Sequence, residues 1–414
     1  MAKPKLALIP ATQGSKLFSV LPSDGSGDFD FTRASAATRI NKDGLIETVA
    51  SGDSRLDYPL IDGVVNGCPS VLLEPQRTNL ETNSSEFTGG LIGVSILRDV
   101  EPSPDGTLNA DKLSDNSSNG EHLINSSIAL SMVSGTSYTV SVFFKSDGTG
   151  GQGVIRYSNG SAFHYGVFNL DNGVVSYNSF GTSEIEAYSN GWYRCSISFT
   201  AAGASSNLPF QIAVANASNQ FSYQGTSNLS NYFWGVQIEQ GSYATSYIPT
   251  SGSAVTRVAD VCNNGGNDQV INSTEGVFYA EIASLVNLNS TPTTISISDG
   301  TAANFTEFRY DSTLNNLQYY LAVGGTYYFN STTPITDIKD FLKVAIKWKV
   351  NDFSIWVNGI EVNTATGAVW IGNTLDRIDF AEPNGTNSFR GKTKDVRVYN
   401  TALTDSELQK LTTI

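Results

Sequence analysis

Two histidines, two methionines and three cysteines are all that this 414-residue chain offers for metal, thioether and thiol chemistry. Cys68, Cys195 and Cys262 are odd in number, far apart and outside any CxxC pair, so neither a disulfide framework nor a zinc motif is present. Free thiols buried in the core are the expectation. His122 and His164 each stand without a Cys or His at ligand spacing, which leaves a metal site or a Ser-His-Asp triad short of parts. Charge is scarce as well. Only 15% of residues are Asp, Glu, Lys or Arg, and the net charge of −14 with a pI near 4.6 argues against nucleic-acid binding, which needs Lys and Arg to neutralise phosphates. Anionic membranes would repel the chain too, and no run of about 18 apolar residues is long enough to insert as a helix. The glycine-rich stretch Gly148 to Gly153 lacks the Lys-Ser/Thr and helix of a phosphate loop. At the amino terminus, MAKPKLALIPATQG has an apolar core too short for a secretory signal.

Glycine (38), tyrosine (18) and phenylalanine (21) are abundant, a composition typical of β proteins rather than helix-rich enzymes. Strand patterns recur throughout. Val344, Ile346, Trp348 and Val350 alternate with Lys343, Lys347 and Lys349, a period of two that predicts one buried and one wet face. Tyr138, Val140, Val142 and Phe144 alternate with Thr139, Ser141 and Lys145; Tyr193, Cys195, Ile197 and Phe199 alternate with Trp192, Arg194, Ser196 and Ser198. Asn351-Asp352 and Asn358-Gly359 supply hairpin turns, because Asn, Asp and Gly tolerate positive φ. Near the end Thr404 is placed to cap a helical turn, with Glu407 three residues on. The fold class expected is all-β, with two antiparallel β-sandwiches in tandem. The divisions expected are an extended segment over 1–80, a jelly roll over 81–250, a small-residue connector over 251–268 and a second sandwich over 269–414.

Three resemblances attach to these blocks. KVAIKWKVNDFSIWVNG (343–359) and GKTKDVRVYNTALTDSELQKL (391–411) resemble the concanavalin A-like or laminin-G lectin fold, over about the last third of the chain. In the first segment Phe31, Arg33, Ser35, Ala37, Thr38, Arg39, Asn41 and Gly44 to Glu47 are followed by Arg55 to Tyr58 and by Cys68 to Leu80. These blocks resemble, in order and at short spacing, the amino-terminal region of bacteriophage fibre and head-spike proteins. SPDGTLNADKL, SGTSYTVSVFFK, NGWYRCSISF and YFWGVQIEQGSYATSYIPT resemble the carbohydrate-binding-module-like jelly rolls of the same fibres, with Phe87 where relatives usually carry a tryptophan.

These resemblances imply a structural virion fibre or spike protein, on head or tail, that presents lectin-like domains to host-surface glycans. Assembly in the host cytoplasm, exposure on the particle surface, a homotrimer, and contact with other virion proteins through residues 1–80 would go with that. The apolar blocks Leu6 to Ile9 and Val71 to Leu73 are short and scattered, and are expected to need a partner subunit to bury them. A secreted bacterial carbohydrate-binding or adhesion protein is the alternative.

No catalytic residues are expected. Laminarinase-type relatives carry E-x-D-x-x-E, which puts two carboxylates against one sugar; it is missing here. Glu184 with Glu186, and Asp379 with Glu382, are the nearest imitations. Ligand binding would instead rest on aromatic platforms, since a flat ring covers the apolar face of a sugar and neighbouring polar groups fix its hydroxyls. Trp192, Arg194, Tyr320, Tyr327, Trp356 and Asn358 are the candidates, with Tyr320, Tyr327 and Phe329 expected on one face of a hairpin turning at Gly324-Gly325. No cofactor is expected; calcium is compatible with both lectin-like families, but no dense Asp/Asn loop singles out a site.

Overall fold

A computed structural model describes every residue except 1, 11–13, 127, 129, 204, 209 and 287–292. It contains two antiparallel sandwiches and one α-helix among the described residues, the all-β architecture that the strand periodicity predicts. In the jelly roll one six-stranded sheet runs in the order Val94–Pro102, Leu108–Asp115, Ser230–Gln240, Ser137–Ser146, Trp192–Thr200, Thr182–Ala187. The other runs Leu91–Ile92, Leu123–Asn125, Gln211–Ala215, Gln152–Ser158, Phe163–Asn169, Val174–Asn178. Val140, Val142, Phe144, Cys195, Ile197 and Phe199 fill the space between them, as their alternation requires. Phe87 is buried there, edge-on to Phe210 at 5.9 Å.

The second sandwich packs the five-stranded sheet Thr326–Pro334, Asn316–Val323, Phe305–Tyr310, Thr293–Ser298, Arg377–Asp379 against a larger one. The larger sheet runs Ile360–Ala365, Phe353–Val357, Leu342–Lys349, Glu275–Ser284, Gly391–Tyr399 and then continues into residues from the start of the chain. Val71, Leu72 and Leu73 pair with Thr393, Lys392 and Gly391, and Leu6, Ala7 and Leu8 with Val398, Arg397 and Val396. Leu6, Leu8, Val71 and Leu73 are thus buried inside this chain, in the core with Phe278, Val396 and Val398. The expectation that these blocks need a partner subunit is overturned, because the free edge of the Gly391–Tyr399 strand already supplies their hydrogen bonds. Likewise the stretch expected as a connector carries strands: Val255–Arg257 pairs with Arg77–Asn79, and Val261–Asn263 with Phe29–Thr32.

The turn chemistry follows the sequence. Asn351 and Asn358 have φ of 56° and 48°. Thr404 caps the Asp405–Thr412 helix in a capping box with Glu407. That helix lays Leu408 and Leu411 over Val277, Tyr279, Ala345 and Trp356, so the face expected to be wet is covered. Lys347 is consequently buried, its Nζ held by Asp352 at 2.7 Å and Asp405 at 3.1 Å, while Val350, expected inside, sits exposed in the turn.

Where the amino-terminal segment, the jelly roll and the second sandwich meet lies a buried ion cluster. Arg55 binds Glu74 (2.6 Å) and Asp260; Arg33 binds Asp260 (3.1 Å); Arg257 binds Glu74 (2.8 Å). Glu74 also accepts from the Ser246 amide at 2.8 Å and hydroxyl at 2.6 Å. Burial works against its charge, yet Arg257 and Arg55 hold its carboxyl well below the usual range.

Candidate functional site

Most of the residues proposed from sequence turn out to build the fold. Trp192 has no exposed surface; its Nε1 donates to the Pro102 carbonyl (3.0 Å) and its ring packs with Ile46, Phe143 and Trp234. Residues of the Ala37–Ile40 and Ile46–Val49 hairpin cover that side of the jelly roll, which strand alternation within one domain does not foretell. Trp356 is 7% exposed beneath the carboxyl-terminal helix, donating to Ser354 Oγ at 3.1 Å. Asn358 is a turn residue: its Oδ1 accepts from the Lys343 amide and its own amide donates to the Lys343 carbonyl, both 2.9 Å. Arg194 is buried beside a cleft.

Tyr320 and Tyr327 do come together, on the outer face of the five-stranded sheet. Their ring centroids are 6.0 Å apart and near perpendicular, and Phe305 stands 6.0 Å from Tyr327 and 6.4 Å from Tyr320. Tyr327 is 50% exposed and Tyr320 half-buried. Phe329, expected with them, points into the core against Tyr319 and Phe353. A register shift between Leu321 and Ala322 is the cause: Leu321 pairs with Phe329 and Ala322 with Tyr327, so one extra residue flips the alternation.

Arg309 fixes the polar side of this face. Its Nη2 donates to Tyr320 Oη (2.6 Å), Nε to Gln318 Oε1 (2.9 Å) and Nη1 to Glu382 Oε1 (2.7 Å), and its guanidinium lies 4.6 Å from the Tyr320 ring centre. Glu382 in turn accepts from Thr386 and Asn387. Glu307 lies beneath, 3% exposed, with Oε2 lacking a hydrogen-bond partner among the described residues and Arg309 Nη1 at 3.8 Å. Burial pushes its pKa up to about 8, with Glu382 adding to the rise and Arg309 opposing it. Glu307 and Arg309 escaped the sequence reading, although their alternation with the core residues Phe308 and Tyr310 is itself a strand signal.

A second aromatic face, also missed, lies on the outside of the jelly roll. Arg156 sits 4.3 Å from the Phe163 ring centre and 5.3 Å from that of Phe221. Tyr165 lies between Tyr177 (4.9 Å) and Phe221 (5.0 Å). Phe163 and Tyr177 are exposed. Arg156 Nη1 donates to Gln211 Oε1 (2.7 Å) and faces Glu121 at 3.3 Å, while Gln211 Nε2 donates to Asn125 Oδ1. The alternation Phe163, Tyr165, Val167 in FHYGVFN carried this signal.

Among the described residues His122 contacts only backbone oxygens and the His164 Nε2 has no hydrogen-bond partner. His122 is buried, its ring nitrogens 2.6 Å from Gly93 O and 3.2 Å from Tyr223 O; His164 stacks on Phe180 at 4.6 Å. Among the described residues no group of three or more His, Cys, Asp or Glu is placed to hold a metal ion. Glu184 and Glu186 share the exposed face of an edge strand of the jelly roll, and Glu186 reaches the rim of a cleft that Asp57 also lines.

Comparison with known proteins places a family on the second sandwich. Residues 282–409, under a third of the chain, match the family model described as the concanavalin A-like lectin/glucanases superfamily. None of the curated proteins matches the chain. Among solved structures it is similar to the CBM40 module of the Ruminococcus gnavus IT-sialidase (18% identity, 36% of this chain and 93% of that one, TM-score 0.29). It is similar also to domains LG4-5 of the mouse laminin alpha1 chain (10% identity, 78% and 95%, TM-score 0.25) and to Trypanosoma rangeli sialidase (11% identity, 93% and 77%, TM-score 0.28). The last third of the chain therefore carries a concanavalin A-like lectin fold, and the tyrosine and arginine face lies within it.

Proposed function

We propose that this chain is a glycan-binding, non-enzymatic surface protein, and that it serves as a bacteriophage fibre or spike. The observation that carries the binding reading is the Tyr320, Tyr327 and Arg309 face. Exposed rings offer stacking area, and a guanidinium already locked by three hydrogen bonds offers polar groups that need no reordering on binding. The jelly-roll face with Arg156, Tyr165 and Tyr177 repeats the same design. Against hydrolysis stands the position of Arg309. Its Nη1 lies between Glu307 and Glu382, so the guanidinium fills the space that a sugar would need between an acid and a nucleophile.

The virion role rests on the resemblance of residues 31–80 to phage fibre and head-spike proteins, and trimeric assembly belongs to the same proposal. Light scattering that returns a 44.3 kDa monomer would refute the trimer. Binding is tested by screening the full chain on arrayed host-surface polysaccharides beside Tyr327→Ala and Tyr177→Ala. Each lost ring should weaken retention about fivefold, in line with ~1 kcal/mol for an aromatic contact. Retention by wild type that neither substitution changes, or release of reducing sugar ends, would overturn the reading.

A further inference from the structure

Arg194 is the one arginine of the jelly roll that is nine-tenths buried, and among the described residues it has no carboxylate within 4.0 Å. A guanidinium taken out of water without a counter-charge is costly, and buried arginines elsewhere in this chain are paired with Glu74 or Asp260 or bonded to backbone oxygens. Arg194 has a single side-chain hydrogen bond, Nη2 to Ser141 Oγ at 3.0 Å, and a ring contact with Phe143 at 5.4 Å. Its Nε is buried with no acceptor among the described residues.

Beside it opens a cleft of about 540 Å³ where the amino-terminal hairpin, the jelly roll and the second sandwich meet. That volume lies within the range of small-ligand sites, roughly 300–1,000 Å³. Tyr188 and Tyr247 line the cleft and lie close enough to feel the charge of Arg194, so aromatic walls and an unpaired guanidinium share one space. Thr38, Thr245 and Ser246 add polar lining. The other charges there are largely committed: Asp57 to Lys392 at 3.0 Å, Glu74 to Arg55 and Arg257. Glu186, the cross-strand neighbour of Arg194, is exposed and makes no ion pair with it within 4.0 Å, and its negative charge would repel an anion in the cleft.

We infer that this cleft is an anion site that takes an acidic sugar unit, its carboxylate on Arg194 and its ring against the tyrosines. A carboxylate in the cleft would supply the counter-charge that this guanidinium lacks, bonded through an Nη group, since Nε itself is enclosed. The site is separate from both exposed aromatic faces and does not depend on them.

Isothermal titration of the full chain with D-glucuronate tests this, with D-glucose and acetate as the neutral and bare-anion controls. Saturable binding of glucuronate, absent for glucose and weaker for acetate, is expected. Arg194→Gln should lower affinity by about tenfold or more, as expected for losing one charge-assisted contact of 1.5–3 kcal/mol. Glu186→Gln, at an exposed edge position that leaves folding intact, should raise affinity about two- to tenfold by removing the like charge. No saturable glucuronate binding by wild type overturns the inference. So does binding that Glu186→Gln leaves unchanged, or that a folded Arg194→Gln protein retains in full.

Discussion

Glu307 gives the most quantitative test of the lectin-domain face. Its side chain is buried and half of its carboxyl has no hydrogen-bond partner among the described residues, so burial holds its pKa at about 8 against an ordinary 4.5. A carboxyl whose folded pKa lies above its unfolded one binds the proton more tightly when folded. Its contribution is therefore complete below about pH 4.5 and is lost as pH rises through about 8. At about 1.36 kcal/mol per pH unit, the interval from 4.5 to 8 bounds the loss at ~5 kcal/mol. Glu307→Gln keeps the volume and removes the titration. It should match wild type to within ~1 kcal/mol at pH 5 and be more stable by a few kcal/mol at pH 9. Urea unfolding of both proteins across that range measures the difference. Asp111, Asp379 and Asp395, whose pKa values burial also raises, are common to both proteins and cancel. A wild-type-minus-Gln difference that does not change between pH 5 and 9 would refute the reasoning.

Two further outcomes follow from burial. Arg55→Ala leaves Glu74 and Asp260 short of a counter-charge in the interior and should cost about 3–5 kcal/mol, whereas Arg55→Met, which keeps the packing, should cost no more than the alanine; thermal melts of the two variants decide it. Cys68 is exposed, contrary to the expectation of three buried thiols, while burial pushes the Cys195 and Cys262 thiols well up. Iodoacetamide should label one cysteine in native protein and three in guanidinium, and mass spectrometry showing Cys195 or Cys262 modified under native conditions would contradict the core packing.

Strand identity and turns were legible because they depend on neighbours in sequence. Val140, Val142 and Phe144 announce a sheet face by alternation, Asn358-Gly359 a hairpin by its φ requirement, and Thr404 with Glu407 a helix start. Which rings face solvent was not legible, since a sheet face is wet or dry according to what lies over it. Trp192 and Trp356 sit on the more polar sides of their strands, yet the 37–49 hairpin covers one and the terminal helix the other. The fate of Phe329 turned on one bulge residue, and a shift of that size reverses every side chain beyond it.

The amino-terminal blocks show the same limit in a stronger form. Arg33, Arg55 and Glu74 belong to the stretches that resemble phage fibre proteins, and their positions suggest an attachment surface. In the folded chain they are the buried ion cluster, completed by Arg257 and Asp260 from beyond the jelly roll. The pairings span as many as 227 residues of sequence, so no local pattern reveals them. One signal was available: in a chain with so little charge, single arginines and acids set among apolar residues are unlike a solvated surface. Such a cluster satisfies its charges only when all three segments are in place, because any other arrangement strands a buried ion at a cost of several kcal/mol. Ser246 of the jelly roll donates to Glu74 and Arg390 of the second sandwich to the Asp260 carbonyl, so the cluster ties both sandwiches to the amino-terminal segment, and the cleft beside Arg194 is lined from the same three segments.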